Sequence, residues 1–304
     1  MTTLHAIASE VHYFAHIKPV LDRWGGNDVV LHRNGRSIGW GNEPVLAASW
    51  RDARTATRKG HPVILMEHGA GQSYVGLDNP AYVGASDRAG VVLYLAPNEA
   101  CAERHRAAHP EIPAEVVGCP RLDGLLAIPR PAEPAVAITH HWRTGITPET
   151  VPAFPHFCSA YPALVERFTV YGHGHPRDAD RASLWFKRHR IGWLPSFRNV
   201  AEHATVLVVD NSSAGAEWMA MDRPVIWLNA PWYRRDVHHG GRFWDWARAG
   251  IQVDHPDDLA AAVGATIATD PLAHERRKLI PELYANPGTA AQAAADAIRS
   301  FLNT

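Results

Sequence analysis

The sequence predicts an α/β protein made of two parallel-sheet units, each with helices on both faces of its sheet. Three observations predict it. Short apolar strands alternate with helical stretches along the chain, as strand–crossover–strand connections require. Several of these strands, residues 205–209 above all, are apolar at nearly every position, which suits burial on both faces. Finally, Pro129-Arg-Pro-Ala-Glu-Pro134 is a stiff connector with no place inside a sheet, and the alternation starts afresh after it.

Taken in order, residues 4–8 read as a first strand, 13–24 as a helix after the polar turn at Ser9-Glu10, and 28–32 as a second strand. The stretch 43–59 holds a strand or short helix and a basic run, Arg51, Arg54, Arg58 and Lys59, which reads as a solvated helix face. A strand at 62–66 runs into Glu67-His68-Gly69, and another at 90–96 precedes a helix at 98–108. The strand at 115–117 ends in Gly118-Cys-Pro-Arg-Leu-Asp123. Beyond the linker come a strand at 135–139, a helix near 158–167, a strand at 168–171 and a helix at 178–190. The expected domains are 1–130 and 135–304, with an alanine-rich helix at 289–301 packing back across the junction.

Residues 204–228 concentrate the signal as strand, turn, helix, strand. Asp210 ends the first strand, and Asn211, Ser212 and Ser213 supply helix-capping chemistry before a helix at 214–221. Asp222-Arg223-Pro224 closes that helix, because a residue before proline is pushed out of the α region. Free N–H groups, the positive helix end and two hydroxyls converge there, an arrangement suited to a nucleotide diphosphate. Glu217, one turn on, is placed to accept from ribose hydroxyls; the competing reading is a simple cap with Glu217 on a solvated face.

Composition narrows the function classes. The net charge of -1, from 30 basic and 31 acidic side chains in 304 residues, excludes a global field of the kind a general nucleic-acid binder carries. Cys101, Cys119 and Cys158 are too few for a disulfide framework or zinc ribbon and are expected to be mostly buried free thiols of a reducing compartment. No apolar run approaches a membrane span, and cytoplasmic residence without membrane insertion is expected. The 19 histidines show no persuasive ligand spacing: His12 and His16 share a helical face but enclose no acidic general base, so no metal is expected.

Four segments, in order, carry a specific resemblance: Gly118-Cys-Pro-Arg-Leu-Asp123, His175-Pro176, Asp210-Asn-Ser-Ser213 with Glu217, and Gly241-Arg-Phe-Trp-Asp245. They resemble the GYPRND, HP, DYSS and RGFYFD segments of the CDP-glycerol glycerophosphotransferase family, and His68-Gly69 resembles that family's HG pair. The resemblance implies the GT-B architecture, two Rossmann-like domains whose parallel sheets face each other across a cleft. It also implies donor-binding roles for Arg121, His175, Asn211, Ser212, Ser213, Glu217 and Arg242, and Arg143 and Arg177 join that expected set from their own positions after strands.

The residues have their own readings beside it. His68 follows a strand next to a glycine, and an imidazole suits proton abstraction near neutral pH; a core or turn histidine competes. His175 and Arg177 lie in a glycine-rich loop where phosphate oxygens can approach. Arg121, Arg143 and Arg242 are further cations for a leaving group, or surface partners of acids. Trp185, Trp193, Trp227, Trp232, Trp244 and Trp246 are candidates for stacking, though most are expected in the core. The expected reaction is metal- and cofactor-free displacement from a nucleotide-linked donor, glycosyl or glycerophosphoryl, by an acceptor hydroxyl deprotonated by His68. A nucleotide-sugar 2-epimerase and a non-catalytic nucleotide-binding module are the alternatives.

Overall fold

A strand with no polar position needs cover on both faces, and in the computed structural model the apolar strands lie inside two six-stranded sheets paired throughout in parallel. The structure describes residues 3–25, 28–70, 73–74, 76–237 and 243–303, apart from the side chains of Phe243 and Trp244. The chain divides into one unit of residues 1–127 with 282–304 and a second of residues 128–281.

The first unit begins with β1 (Leu4–Ile7), α1 (Val11–Trp24), β2 (Val29–His32), β3 (Val45–Ala47) and α2 (Trp50–Thr57). It continues through β4 (Val63–Met66), β5 (Val91–Ala96), α3 (Glu99–Ala108), β6 (Ala114–Val116) and α4 (Pro120–Leu126). Its strand order is β2-β1-β3-β4-β5-β6. Ser49 and Asn98 cap α2 and α3 by accepting from the N–H groups of Asp52 at 3.1 Å and Cys101 at 2.9 Å. The ambiguous stretch 43–59 thus holds both a strand and a helix.

The second unit contains β7 (Ala135–Thr139), α5 (Phe154–Phe157), α6 (Tyr161–Val165), β8 (Thr169–Gly172), α7 (Ala179–Arg188) and β9 (Gly192–Trp193). Next come α8 (Phe197–His203), β10 (Val206–Val209), α9 (Ala214–Ala220), β11 (Val225–Leu228), α10 (Phe243–Trp246), β12 (Ile251–Val253) and α11 (Leu259–Thr269). The strand order, β12-β11-β10-β7-β8-β9, is that of a dinucleotide-binding doubly wound sheet, and its direction reverses between β7 and β10. The single helix expected near 158–167 is instead α5 and α6 joined by a 3₁₀ turn, with Pro155 and Pro162 each in a helix's first turn.

The chain returns to the first unit through α12 (Ala273–Leu283), and the unit boundary falls at Pro281 inside it. Then α13 (Ala290–Leu302) buries Ala294, Ala295 and Ile298 against Leu4, Ile17, Val20 and Leu21. Residues 282–304 therefore group with the first unit. The Gly118-Asp123 motif is the socket for this return. Gly118 has φ +90°, and a Cβ on it would stand 2.1 Å from the Ala285 carbonyl oxygen. Asp123 accepts from the N–H groups of Ala290 at 3.1 Å and Ala291 at 2.8 Å, which caps α13.

Candidate active site

Polar residues gather where the strands end, and each unit has one such group. In the first unit His68 follows β4 and is 35% exposed, with its Nδ1 3.8 Å from a Glu67 carboxylate oxygen. The ring of Tyr13 meets it edge-on at 5.0 Å, and that of His16 lies 6.0 Å away. Glu67 in turn accepts from the Tyr94 hydroxyl at 3.0 Å. Burial, the charge of Arg121 and the neighbouring rings of His68 and His12 hold the His16 imidazole well below its ordinary pKa, so it is neutral at pH 7. Its Nδ1 lies 3.7 Å from the Cys119 thiol. The structure thus sets His68 beside His16, where the charge of Arg121 is felt. Among the described residues no cluster of His, Cys, Asp or Glu is placed to hold a metal ion.

In the second unit a cleft of about 730 Å³ opens beyond the ends of β7 and β8 and against α5 and α7. Arg143, His175 and Arg177 line it together, joined by Arg181, Arg188 and His141. Trp142 stands among them: the Arg177 guanidinium lies 4.5 Å from its ring centre and the His175 ring 5.6 Å away. Deeper along the lining Phe154 and Trp185 meet edge-to-face at 5.0 Å. Cations beside aromatic faces suit an anion attached to a planar or apolar group.

The wall of this cleft is held by a residue that reads in the sequence as the end of a strand and the first position of the Asp-Asn-Ser-Ser segment. Asp210, fully buried at the β7/β10 reversal, accepts from the N–H of His141 at 2.8 Å and of Ala153 at 3.0 Å. It therefore pins both ends of the loop that carries Trp142 and Arg143. Its other contact is His140 Nδ1 at 3.3 Å, while His140 Nε2 meets the buried Tyr161 hydroxyl at 2.8 Å. Burial pushes the Asp210 carboxyl up, but the hydrogen bond and charge of His140, with those of His141, outweigh it and leave the pKa below the usual carboxylate value. Glu149 works alike on the same loop. Fully buried, it takes Arg234 Nε at 2.6 Å and Nη2 at 2.8 Å. Burial again opposes ionisation, yet Arg234 brings its pKa down to about 2.

The turn after β10 departs from its expected exposure. Ser212 and Ser213 are half-buried, and Asn211 and Glu217 are 0% and 2% exposed. Glu217 is therefore no solvated face residue, because the short α9 is packed on most sides. Neither these four residues nor His68 and Arg121 are among those lining the cleft. Arg242 lies outside the described residues. Of the tryptophans, Trp185 lines the cleft while Trp227 and Trp246 are in the core. Trp142 is not among the sequence candidates, and its one signal in the chain is its place as an aromatic in a strand-end loop beside the double histidine after β7.

No model of a protein family matches the chain, and no curated protein does. Solved structures do. MnaA of S. aureus with UDP is similar over 100% of this chain and 97% of its own, at 14% identity and a TM-score of 0.68. The wall teichoic acid polymerase TagF covers 99% of this chain and 89% of its own, at 13% identity and a TM-score of 0.64. A putative UDP-N-acetylglucosamine 2-epimerase from Listeria monocytogenes covers 99% and 96%, at 12% identity and a TM-score of 0.64. At such identities the likeness is one of fold: two six-stranded parallel α/β units of the GT-B class.

Proposed function

We propose that this chain is a GT-B-type transferase that moves a glycosyl or glycerophosphoryl group from a nucleotide-activated donor to an acceptor hydroxyl. The observation that carries the reading is the cleft of the second unit, where Arg143, His175 and Arg177 surround Trp142 beyond the strand ends next to the sheet reversal. Ligands of doubly wound sheets bind at that position, and the residue types suit a nucleoside phosphate. Support comes from the structures of like fold, one solved with UDP and another, TagF, after a soak with CDPG.

In this reading the cations of the cleft hold the donor phosphate and stabilise the charge that builds on it as the bond to the transferred group breaks. Ser212 and Ser213 add hydroxyl donors one strand over, while the buried Asn211 and Glu217 shape the turn that presents them. Arg121 and Arg242 complete the expected donor set. His68 takes the proton of the acceptor hydroxyl as its oxygen forms the new bond, to phosphorus for a glycerophosphoryl group or to anomeric carbon for a sugar. The nucleotide leaves with the electron pair. The donor is a substrate, and no resident cofactor enters the scheme.

Calorimetric titration with CDP-glycerol, UDP-glucose, UDP-N-acetylglucosamine, GDP-mannose and the bare nucleotides tests it, with each donor then incubated alone and with polyol or sugar acceptors. Binding of one donor, weakened roughly tenfold by Arg143→Ala or Arg177→Ala, is the expected result. His68→Ala is expected to keep that binding and lose turnover by roughly a hundredfold or more. Conversion of a UDP-sugar to its epimer without any acceptor would replace transfer by epimerisation. Binding with no chemistry under any condition would leave a nucleotide-binding module, and no binding at all would remove the cleft assignment.

A further inference from the structure

Glu67 and His68 stand at the end of a buried strand, and both neighbours of the histidine are anchored. The Glu67 N–H donates to the Leu95 carbonyl at 3.0 Å, one rung beyond β4, and its side chain meets Tyr94 of the adjoining strand. After His68, Gly69 turns the chain with φ +88°, a backbone state that suits glycine. The Ala70 carbonyl then accepts from Asn98 Nδ2 at 3.0 Å and from the Cys101 thiol at 3.3 Å. The imidazole is thus carried between fixed points, half-buried against Tyr13 and His16.

The carboxylate beside it is unusual in what it lacks. The Glu67 side chain is 10% exposed, yet no lysine or arginine pairs with it among the described residues. Its polar contacts are the Tyr94 hydroxyl, which donates to Oε2 at 3.0 Å, and His68 Nδ1, 3.8 Å from Oε1. Tyr94 is fully buried, flat against His105, and its hydroxyl has no other partner among the described residues. Burial, and next the charge of Glu67, push the Tyr94 pKa well above the ordinary phenol value, so it stays a donor. One carboxylate oxygen is therefore committed, and the other faces the imidazole. An anion so enclosed and without a cation is costly, and that cost falls when a positive charge forms beside it. His68 Nε2 has no hydrogen-bond partner among the described residues.

We propose that Glu67 is a positioning residue for the acceptor base: it accepts from His68 Nδ1–H and so reserves Nε2 for the acceptor's proton. This rests on the reading of His68 as that base. Transfer breaks the acceptor O–H bond, whose electron pair makes the new bond to the donor centre while the proton passes to Nε2. The imidazolium so formed stands against the Glu67 carboxylate. At 3.8 Å the Nδ1 contact is longer than a hydrogen bond, and contacts of this kind tighten once substrate is bound. Tyr94 sets the direction of the device. An amide in place of the carboxylate would give its oxygen to the Tyr94 hydroxyl and turn its two N–H donors toward His68. The ring would then carry its proton on Nε2, the wrong tautomer for a base acting there.

Long-range correlation of histidine ring protons with ring nitrogens by NMR reads the tautomer in the full chain, above the pH range of imidazole titration. The His68 signals are found by comparison with His68→Ala. The parent is expected to carry the proton on Nδ1 and Glu67→Gln on Nε2. In the double variant Glu67→Gln, Tyr94→Phe the amide oxygen is free to turn, and Nδ1 should be protonated again. A parent ring protonated at Nε2 overturns the proposal, and so does a tautomer that ignores Glu67→Gln. Turnover with the donor and acceptor of the transfer assay gives the second reading. Glu67→Gln should lower kcat roughly a hundredfold and leave KM within about threefold, and the double variant should regain about tenfold in kcat. A loss that the double variant deepens marks a structural role and overturns the positioning one. If the tautomers follow Glu67 but His68→Ala turns over like the parent, the Nδ1 contact stands, while the assignment of His68 as base falls and the proposal with it.

Discussion

Both units hold a six-stranded parallel sheet and both bury titratable side chains beside it, and two sets of these contrast: His16 and His105 in the first, Asp210 and Glu149 in the second. The first unit encloses histidines held neutral. His16, 3% exposed, has its pKa lowered chiefly by burial, and burial brings His105, 0% exposed, to about 4. The second unit encloses carboxylates held ionised, Asp210 and Glu149. The difference follows from what each group must do. Asp210 collects backbone N–H donors from the two ends of the loop after β7, and Glu149 collects the backbone and guanidinium N–H groups of Arg234; a carboxylate accepts several donors at once. His105 instead fills an interior slot by stacking on Tyr94, with ring centres 4.0 Å apart and planes 3° from parallel. A neutral ring costs less to bury there than a charged one. Asp210 and Glu149 thus cross-link by charge, whereas His16 and His105 fill space by suppressing it.

The sharpest way to break this comparison is to remove the charge at Asp210. Asp210→Ala leaves the N–H groups of His141 and Ala153 and the ring of His140 without their acceptor inside the protein. Loss of one partner from a buried charged network costs about 3–5 kcal/mol, to be read from denaturant unfolding of the second unit. Because the same contacts hold the loop bearing Trp142 and Arg143, donor binding should fall with it. Asp210→Asn keeps one acceptor oxygen and should recover part of the stability. A neutral outcome for the alanine variant would show that the loop is held by its packing alone.

Glu149→Gln comes next, at about 1.5–3 kcal/mol for a hydrogen-bonded charge whose Arg234 partner is partly exposed. Its pH signature separates the mechanisms. The Glu149 pKa is depressed from 4.5 to about 2, so its contribution is complete above about pH 4.5 and is lost as pH falls toward 2. The glutamine variant should lack that acid limb and be less stable than the parent chain at neutral pH. An unchanged acid limb would place the acid sensitivity of this unit elsewhere.

These carboxylates also mark the limit of what was legible in the chain. The architecture was legible because a strand buried on both faces must be apolar throughout, as 63–66 and 206–209 are, and because three prolines interrupt the alternation between the units. The return of the alanine-rich α13 was legible for a similar reason, since a run of small apolar residues needs a close neighbour. The short β9 and β12 lack enough residues to show a period, and α11, apolar almost all round, gives no amphipathic contrast. Strand-end polar residues were found but not sorted. Asn211 and Glu217 read as groups facing a ligand, and both are buried, whereas Arg143, His175 and Arg177 line open space. Burial depends on which loops fold over a strand end, and here that is decided by residues some 60 positions away, as with Ala153 and Asp210. No local spacing carries that information.

The smallest expected effect tests the neutral half of the comparison. With a folded pKa of about 4 against 6.5 unfolded, His105 contributes stability that is complete above about pH 6.5. It is lost as pH falls toward 4, because the unfolded chain takes up the proton first. The first unit should therefore weaken on acidification before the second, whose carboxylates act only below about pH 4.5. His105→Phe keeps the stacking on Tyr94, and both ring nitrogens it removes lack a hydrogen-bond partner among the described residues. At neutral pH the change should stay within about 1 kcal/mol. Near pH 5 the variant should be the more stable chain by at most about 2 kcal/mol, the free energy of keeping one such ring unprotonated. Thermal unfolding of parent and variant across this range measures the gap. A gap that does not widen between pH 7 and pH 5 would mean that His105 takes up its proton without loss of the fold, and the order of acid sensitivity in the two units would then rest on His16 and His32, whose pKa values burial also lowers.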